Sequence, residues 1–248
     1  MNTAENQEKI RLNKFLAHSG LGDRRICDVY IKQGLVSVNN EIITEPGTKV
    51  SLTDFVLFKG VTITPEKKVY LLFNKPKNFS FEKNHKGMDI LDLVQNFAKE
   101  LNLGYIPNIF SLDDFESDEL GLMILTNDKD LYDEYQSNET KIKSVYHITL
   151  NKPIFDTDLA ALEKGFKTKF GNFKVEEIEI LDDENLEIGF ATKSIKPSEI
   201  SILFGILGFE VVKLDRTIVS NLTKRDLPRG KWRFLTPAEL IKLKHLKY

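Results

Sequence analysis

Between Ser111 and Asp128 the chain reads SLDDFESDELGLMILTND, and no other stretch limits its fold as strongly. Gly121-Leu122-Met123-Ile124-Leu125-Thr126 is a short apolar run closed by Asn127-Asp128, which predicts a strand buried on both faces that runs into a turn. The residues before it are of another kind. Asp113, Asp114, Glu116, Asp118 and Glu119 crowd carboxylates into seven positions directly ahead of the strand. A carboxylate on a loop at the mouth of a rigid sheet is well placed to act as a nucleophile or general base. An acidic loop is more often an ordinary solvated surface, and the pattern alone favours that reading.

A chain of 248 residues, 41% hydrophobic and 29% charged, has the composition of a globular protein with one large or two smaller domains and a self-sufficient core. Its one cysteine, Cys27, falls in an apolar helical pattern and reads as a small core residue. A lone cysteine forms no intramolecular disulfide and no structural zinc site, which points to a reducing compartment. Met1–Lys9 is polar and no segment has the apolar length of a membrane span, so the expectation is a cytoplasmic protein without a membrane partner. The net charge is −2. Any grip on nucleic acid must therefore come from a local basic patch, because affinity for RNA is largely phosphate neutralisation.

Leu12, Phe15 and Leu16 recur at helical spacing, with Arg11 and Lys14 off the apolar stripe. Gly20 and Gly22 stop this helix, and Asp23 is placed to cap a second one whose inner face is Ile26, Cys27, Tyr30 and Ile31 and which Gly34 ends. Val36 and Val38 alternate before Asn39-Asn40, a pair able to take the left-handed conformation of a tight hairpin, and Ile42-Ile43 begin the return. Pro46-Gly47 turns the chain again, and a final strand covers Phe55–Phe58 before Gly60. The expected boundaries are a first domain over 1–62, with a short disordered N-terminus, and a second over 63–248.

In the second domain Val69–Phe73 reads as a buried strand ended by Pro76, with Lys75 and Lys77 as RNA-facing cations or as edge charges that discourage aggregation. His85 lies in a predicted loop with no second histidine at ligand spacing, so no metal site is expected. Ile90, Leu91, Val94, Phe97 and Ala98 continue as helix, and Lys143–Leu150 alternates as a strand containing Tyr146. Pro197 or Ser198 can open a helix whose apolar face is Leu203, Phe204 and Leu207. Thr236-Pro237-Ala238-Glu239 has the form of a capping box with proline at the first helical position.

RLNKFLAHSG, DRR, GLVSVN and EPGTKV resemble the alpha-L RNA-binding motif of ribosomal proteins and RNA-modifying enzymes. YLLFNKPK, the Gly121–Asp128 strand, Tyr146, the framework Gly208-Phe209-Glu210-Val211 with Leu214-x-Arg216, and LPRGKWRFLT resemble the RsuA-type rRNA pseudouridine synthases. The resemblance implies an α+β protein. A small module of two helices and a β-hairpin would precede a mixed, largely antiparallel β-sheet domain with flanking helices. It also implies a rRNA or ribosomal partner, no cofactor and no metal, with Arg11, Lys14, Arg24, Arg25, Lys75, Lys77 and Arg216 contacting RNA.

The same resemblance implies covalent chemistry on a flipped uridine, with an Asp as nucleophile and a Tyr stacking on the uracil. Tyr146 matches the Tyr, or is a core aromatic. The nucleophile's position falls on Glu116 without gaps, or on Asp113 if the loop carries three extra residues. The family's cations are replaced: its loop Arg is absent, its Lys two places before the Tyr is Ser144, and two arginines of its RNA-facing helix are Ser201 and Ile202. The expectation is an RNA-binding protein of this family with weakened or lost catalysis. The rivals are an active synthase using Asp113 or Glu116, and a scaffold whose acidic loop meets a protein partner.

Overall fold

The computed structural model describes residues 9–81, 88–103, 107–137, 142–168, 171–173, 175–193 and 195–244. The expected disordered N-terminus and the loop of His85 lie outside them. The chain divides into two compact units, Met1–Lys67 and Lys68–Tyr248, so the division falls after Lys67, beyond the expected boundary at 62/63.

In the first unit, helices Leu12–His18 and Arg24–Lys32 pack through Leu12, Phe15, Leu16, Cys27 and Ile31, all 0 or 1% exposed. Asp23 caps the second helix as its position predicts: its carboxylate accepts from the Arg25 and Ile26 amides at 2.8 and 3.0 Å. Burial pushes the Cys27 thiol up to about 11, consistent with an inert core residue. Strands Val36–Val38 and Glu41–Ile43 form the hairpin, and Asn39 and Asn40 have φ of 49° and 72°. Val56–Phe58 and Val61–Ile63 complete an antiparallel sheet of four strands.

The second unit is built on one large sheet. Its spatial order runs Glu177–Ile180, Glu187–Thr192, Ser144–Leu150, Val211–Val219, Leu120–Thr126, Tyr70–Lys75 and Trp232–Phe234. Phe110–Ser111 pairs beside Leu120–Thr126, and Leu222–Thr223 beside Val211–Val219. Only the pair between Leu120–Thr126 and Val211–Val219 is parallel among the described strands of this sheet. The apolar run therefore lies deep in the sheet: Leu122 to Thr126 are 0 or 1% exposed, as expected of a strand covered on both faces.

Helices cover the sheet. Pro197–Ile206 turns Ile200, Leu203 and Phe204 onto Tyr146, Ile148 and Phe190. The region after Met88 forms two short helices, Ile90–Val94 and Phe97–Glu100, rather than one continuous helix. Trp232 packs as structure, edge-on to Phe97 and Phe234. Thr236 and Glu239 form the expected reciprocal cap, and Glu239 also takes both terminal nitrogens of Arg233.

Candidate active site

Three strands converge on one residue. In the sheet register Arg216 is opposite Tyr146 on one side and Gly121 on the other. Gly121 is required there. Its φ is +112°, and a Cβ on it would lie 2.3 Å from the Arg216 carbonyl oxygen and 2.4 Å from its nitrogen. The absence of a side chain lets strand 120–126 close onto strand 211–219 where Arg216 begins its path toward the loop.

Arg216 is 1% exposed, so as an RNA-binding cation it must be corrected: it reaches no phosphate from this position. It donates from Nε to the Leu122 carbonyl at 2.7 Å and from a terminal nitrogen to the Asp113 carboxylate at 2.5 Å. The Phe115 ring lies over the guanidinium, 4.6 Å from centroid to Cζ. The Tyr135 hydroxyl donates to the other Asp113 oxygen. Burial alone would lower the Arg216 pKa, but the charge of Asp113 outweighs it and the net displacement is upward. The Asp113 side chain is 8% exposed.

Asp113 is delivered by local bonding. The Leu112 amide bonds the Ile124 carbonyl at 3.0 Å, the last rung before the loop leaves the sheet, and the Gln136 amide nitrogen donates to the Leu112 carbonyl at 2.9 Å. Ser111 then brackets the residue, with its hydroxyl donating to the Asp113 carbonyl at 2.6 Å and accepting from the Asp113 amide at 3.2 Å. The hydroxyl thus fixes the backbone of the residue locally.

Tyr146 is 1% exposed and belongs to the core cluster with Ile148, Phe190 and Phe204. It is not an open stacking platform in this conformation. Its ring nonetheless reaches the charged pair: burial raises its phenol to about 12, with Arg216 acting downward and Asp113 upward. Of the two acids left open by the alignment, Asp113 is the one beside Tyr146 and Arg216. Glu116 is exposed and lines a separate cavity of about 190 Å³ with Asp118, Glu119, Ser198, Ser201 and Val212. The acidic loop thus turns Asp113 and Glu119 inward and leaves Asp114, Glu116 and Asp118 exposed.

The remaining expected cations separate into two groups. Arg11, Arg24 and Arg25 are exposed in the first unit, with Lys14 half-buried on the first helix, and Lys77 is exposed in the second. Lys75 requires correction, since it is 0% exposed and cannot face RNA directly. Its ammonium donates to the backbone carbonyls of Glu119 at 2.6 Å and Ser117 at 3.1 Å. Behind it, Arg229 holds Asp215 through both oxygens and also bonds the side chain of Asn74 and the carbonyl of Lys75. Lys143 points away from the site and pairs with Glu177 at 2.5 Å. Ser201 and Ile202 are exposed on their helix, which leaves that surface without the expected arginines.

The S4 domain family matches residues 10–56, all within the first unit. Over 94% of this chain and 78% of the relative, the sequence is 30% identical to the dual-specificity RNA pseudouridine synthase RluF of Shigella flexneri. The chain belongs to the RNA pseudouridine synthase family. Within that family it is also 29% identical to the ribosomal large subunit pseudouridine synthase B of Bacillus subtilis, over 95% of this chain and 96% of the relative. A crystal structure of a pseudouridylate synthase superposes with a TM-score of 0.63 at 25% identity, covering 94% of this chain and 99% of that one. The α+β architecture, the S4 module and the sheet domain are those of this pseudouridine synthase family.

Sequence reasoning missed the partners of Asp113. Arg216 carried one readable signal, a lone guanidinium amid the apolar positions of strand Val211–Val219. A charge there is tolerable only when paired. Tyr135 lies four residues after Leu131 on helix Lys129–Gln136, so helical spacing puts it on the buried side, but nothing local says that its hydroxyl meets Asp113.

Proposed function

We propose that this chain is an RNA pseudouridine synthase acting on structured RNA, with Asp113 as the nucleophile, Arg216 as its orienting partner and Tyr146 as the aromatic beneath the target base. The observation that carries the reading is the buried contact between Asp113 and Arg216, with Tyr146 in the same cluster. The cation that the loop lacks is supplied by a distant strand. A guanidinium bonded on one side to a strand carbonyl has little freedom, so it aims the carboxylate without mobile surface charge.

The chemistry is an isomerisation and balances without a cofactor. The carboxylate of Asp113 attacks the nucleoside and the N-glycosidic bond breaks. The detached uracil turns, and a carbon–carbon bond forms to the sugar as Asp113 is released. The proton lost from that ring carbon is matched by one gained at the ring nitrogen. The Phe115 ring covers the Arg216 guanidinium beside Asp113. The cost of unstacking the uridine is offset by stacking and phosphate contacts, for which Arg24 and Arg25 of the S4 module are the exposed candidates. The names of the relatives support rRNA as the substrate class, and with it a cytoplasmic, ribosome-linked role.

A second reading is a retained fold with weakened or lost turnover and a binding role on rRNA. It is favoured by the acidic cavity of Glu116 and Asp118 beside exposed Ser201 and Ile202, which repels rather than recruits phosphate. A protein contact at the acidic loop, the scaffold alternative, has no separate support. Incubating the protein with unmodified rRNA and mapping pseudouridine by chemical derivatisation separates the two readings. A new site lost in Asp113→Asn but retained in Glu116→Gln supports catalysis through Asp113, and an unmodified rRNA supports the binding role.

A further inference from the structure

Lys75 is the largest buried cation that the catalytic reading leaves without a role. We propose that Lys75 is a positioning residue whose ammonium clasps the Ser117 and Glu119 carbonyls and so holds the loop carrying Asp113 in register with Arg216. The proposal rests on the reading of Asp113 as nucleophile.

The geometry is specific. Lys75 ends strand Tyr70–Lys75 opposite Gly121, the residue at which strand 120–126 meets Arg216. Its two short bonds go to backbone oxygens of the loop, at 2.6 and 3.1 Å, and a longer one goes to the Pro76 carbonyl at 3.4 Å. No carboxylate lies within ion-pair distance of it among the described residues. The loop reinforces the clasp: the Asn78 amide also donates to the Ser117 carbonyl at 2.7 Å, and the Glu119 carboxylate accepts from the Glu116 amide at 2.7 Å. Asp113 stands at one end of this loop and the clasped carbonyls at the other.

A buried ammonium is a clasp that protons can open. Burial brings Lys75 down to about 8, partly offset by Glu119, Asp118 and Glu116 on the loop, while Arg229 acts in the same direction as burial. Burial raises Glu119 to about 7, with Asp118 and Glu116 adding to it and Lys75 opposing. Between these values Lys75 keeps its proton. Above about 8 the neutral amine has fewer and weaker donors for the same two carbonyls, and the loop loosens.

The test compares the full-length protein with Lys75→Met and Lys75→Gln. Glutamine keeps an amide donor and loses the titration. Hydrogen-exchange protection of the 118–121 amides is measured between pH 7 and 9, with the 144–150 strand as internal control for folding, alongside pseudouridine formation on rRNA. Wild type should lose loop protection above about pH 8 while the 144–150 strand keeps its own. Lys75→Met should lose loop protection at every pH, with a kcat loss of about 10- to 100-fold and little change in KM. Lys75→Gln should keep part of the protection and show no alkaline decline. Equal loop protection in Lys75→Met and wild type, or an alkaline decline that survives in Lys75→Gln, overturns the clasp. If Lys75→Met fails to fold, the pH profile of Lys75→Gln decides alone. If wild type forms no pseudouridine, the catalytic reading fails while the exchange arm still decides the role of Lys75.

Discussion

Arg216 donates to the Asp113 carboxylate at 2.5 Å and to the Leu122 carbonyl at 2.7 Å, so one guanidinium fastens both the acidic loop and the strand that follows it. A lysine has one nitrogen and cannot span both acceptors in a fixed plane. Arg216→Met leaves Asp113 without its cation and should cost roughly 3–5 kcal/mol, the usual penalty for breaking a buried pair. Arg216→Lys should recover only part of that loss. Chemical denaturation of the three proteins checks the order, and equal midpoints for wild type and Arg216→Lys would remove the two-acceptor argument.

Asp113→Asn should reduce pseudouridine formation by at least about a thousandfold, since it removes the attacking group. Glu116→Gln should stay within about threefold of wild type, because its side chain lines the separate cavity and not the Asp113 cluster. Single-turnover assays on one rRNA fragment measure both. Reversed sensitivities would move the nucleophile to Glu116.

Gly121→Ala places a methyl group 2.3 Å from the backbone oxygen of Arg216, and neither strand can yield without breaking the sheet. The added left-handed strain at φ +112° acts in the same direction. A loss on the order of 3 kcal/mol or more is expected, visible as a fall in thermal midpoint. Gly47, which has open space around its Cβ position and no positive φ, should accept alanine with little change.

Replacing Arg24 and Arg25 together by alanine should weaken RNA binding similarly across sequences and lower the salt dependence by about two counterions. Both are exposed at the start of a capped helix, so stability should change little. Titrations at several salt concentrations provide the slope, and an unchanged slope would place the RNA contact elsewhere.

Glu119 has a folded pKa near 7, above its ordinary value of 4.5, so the folded protein holds a proton that the unfolded chain releases in that window. The stability it contributes is fully present below 4.5 and is lost as pH rises to about 7. Glu119→Gln removes this slope, so the difference in stability between variant and wild type should move in the variant's favour by on the order of 1–3 kcal/mol from pH 4.5 to 7. Asp128 and Asp215, held below the usual range by their bonds to Lys68, Tyr70, Arg229 and Lys224 against the upward push of burial, lose stability toward acid in both proteins and cancel in the difference.

The helices of the first unit, the Asp23 cap, the Asn39-Asn40 turn, the strand at 120–126 and the Thr236–Glu239 cap were all legible along the chain, because each depends on residues within a few positions of one another. The acidic loop was legible only as composition. That Asp113 turns inward depends on a guanidinium far away in sequence, and Lys75 likewise depends on distant partners, carbonyls that every residue possesses.

From its order of residues alone, the chain determined its elements, its two-part organisation and the family it resembles, since apolar period, caps and turn residues act locally. The tertiary structure decided that Asp113 meets Arg216, that Lys75 and Arg216 are internal rather than RNA-facing, and that Tyr146 lies covered. Those outcomes arise where four neighbouring strands meet, and burial there turns an isolated charge into a cost that only a partner from another strand or loop can offset.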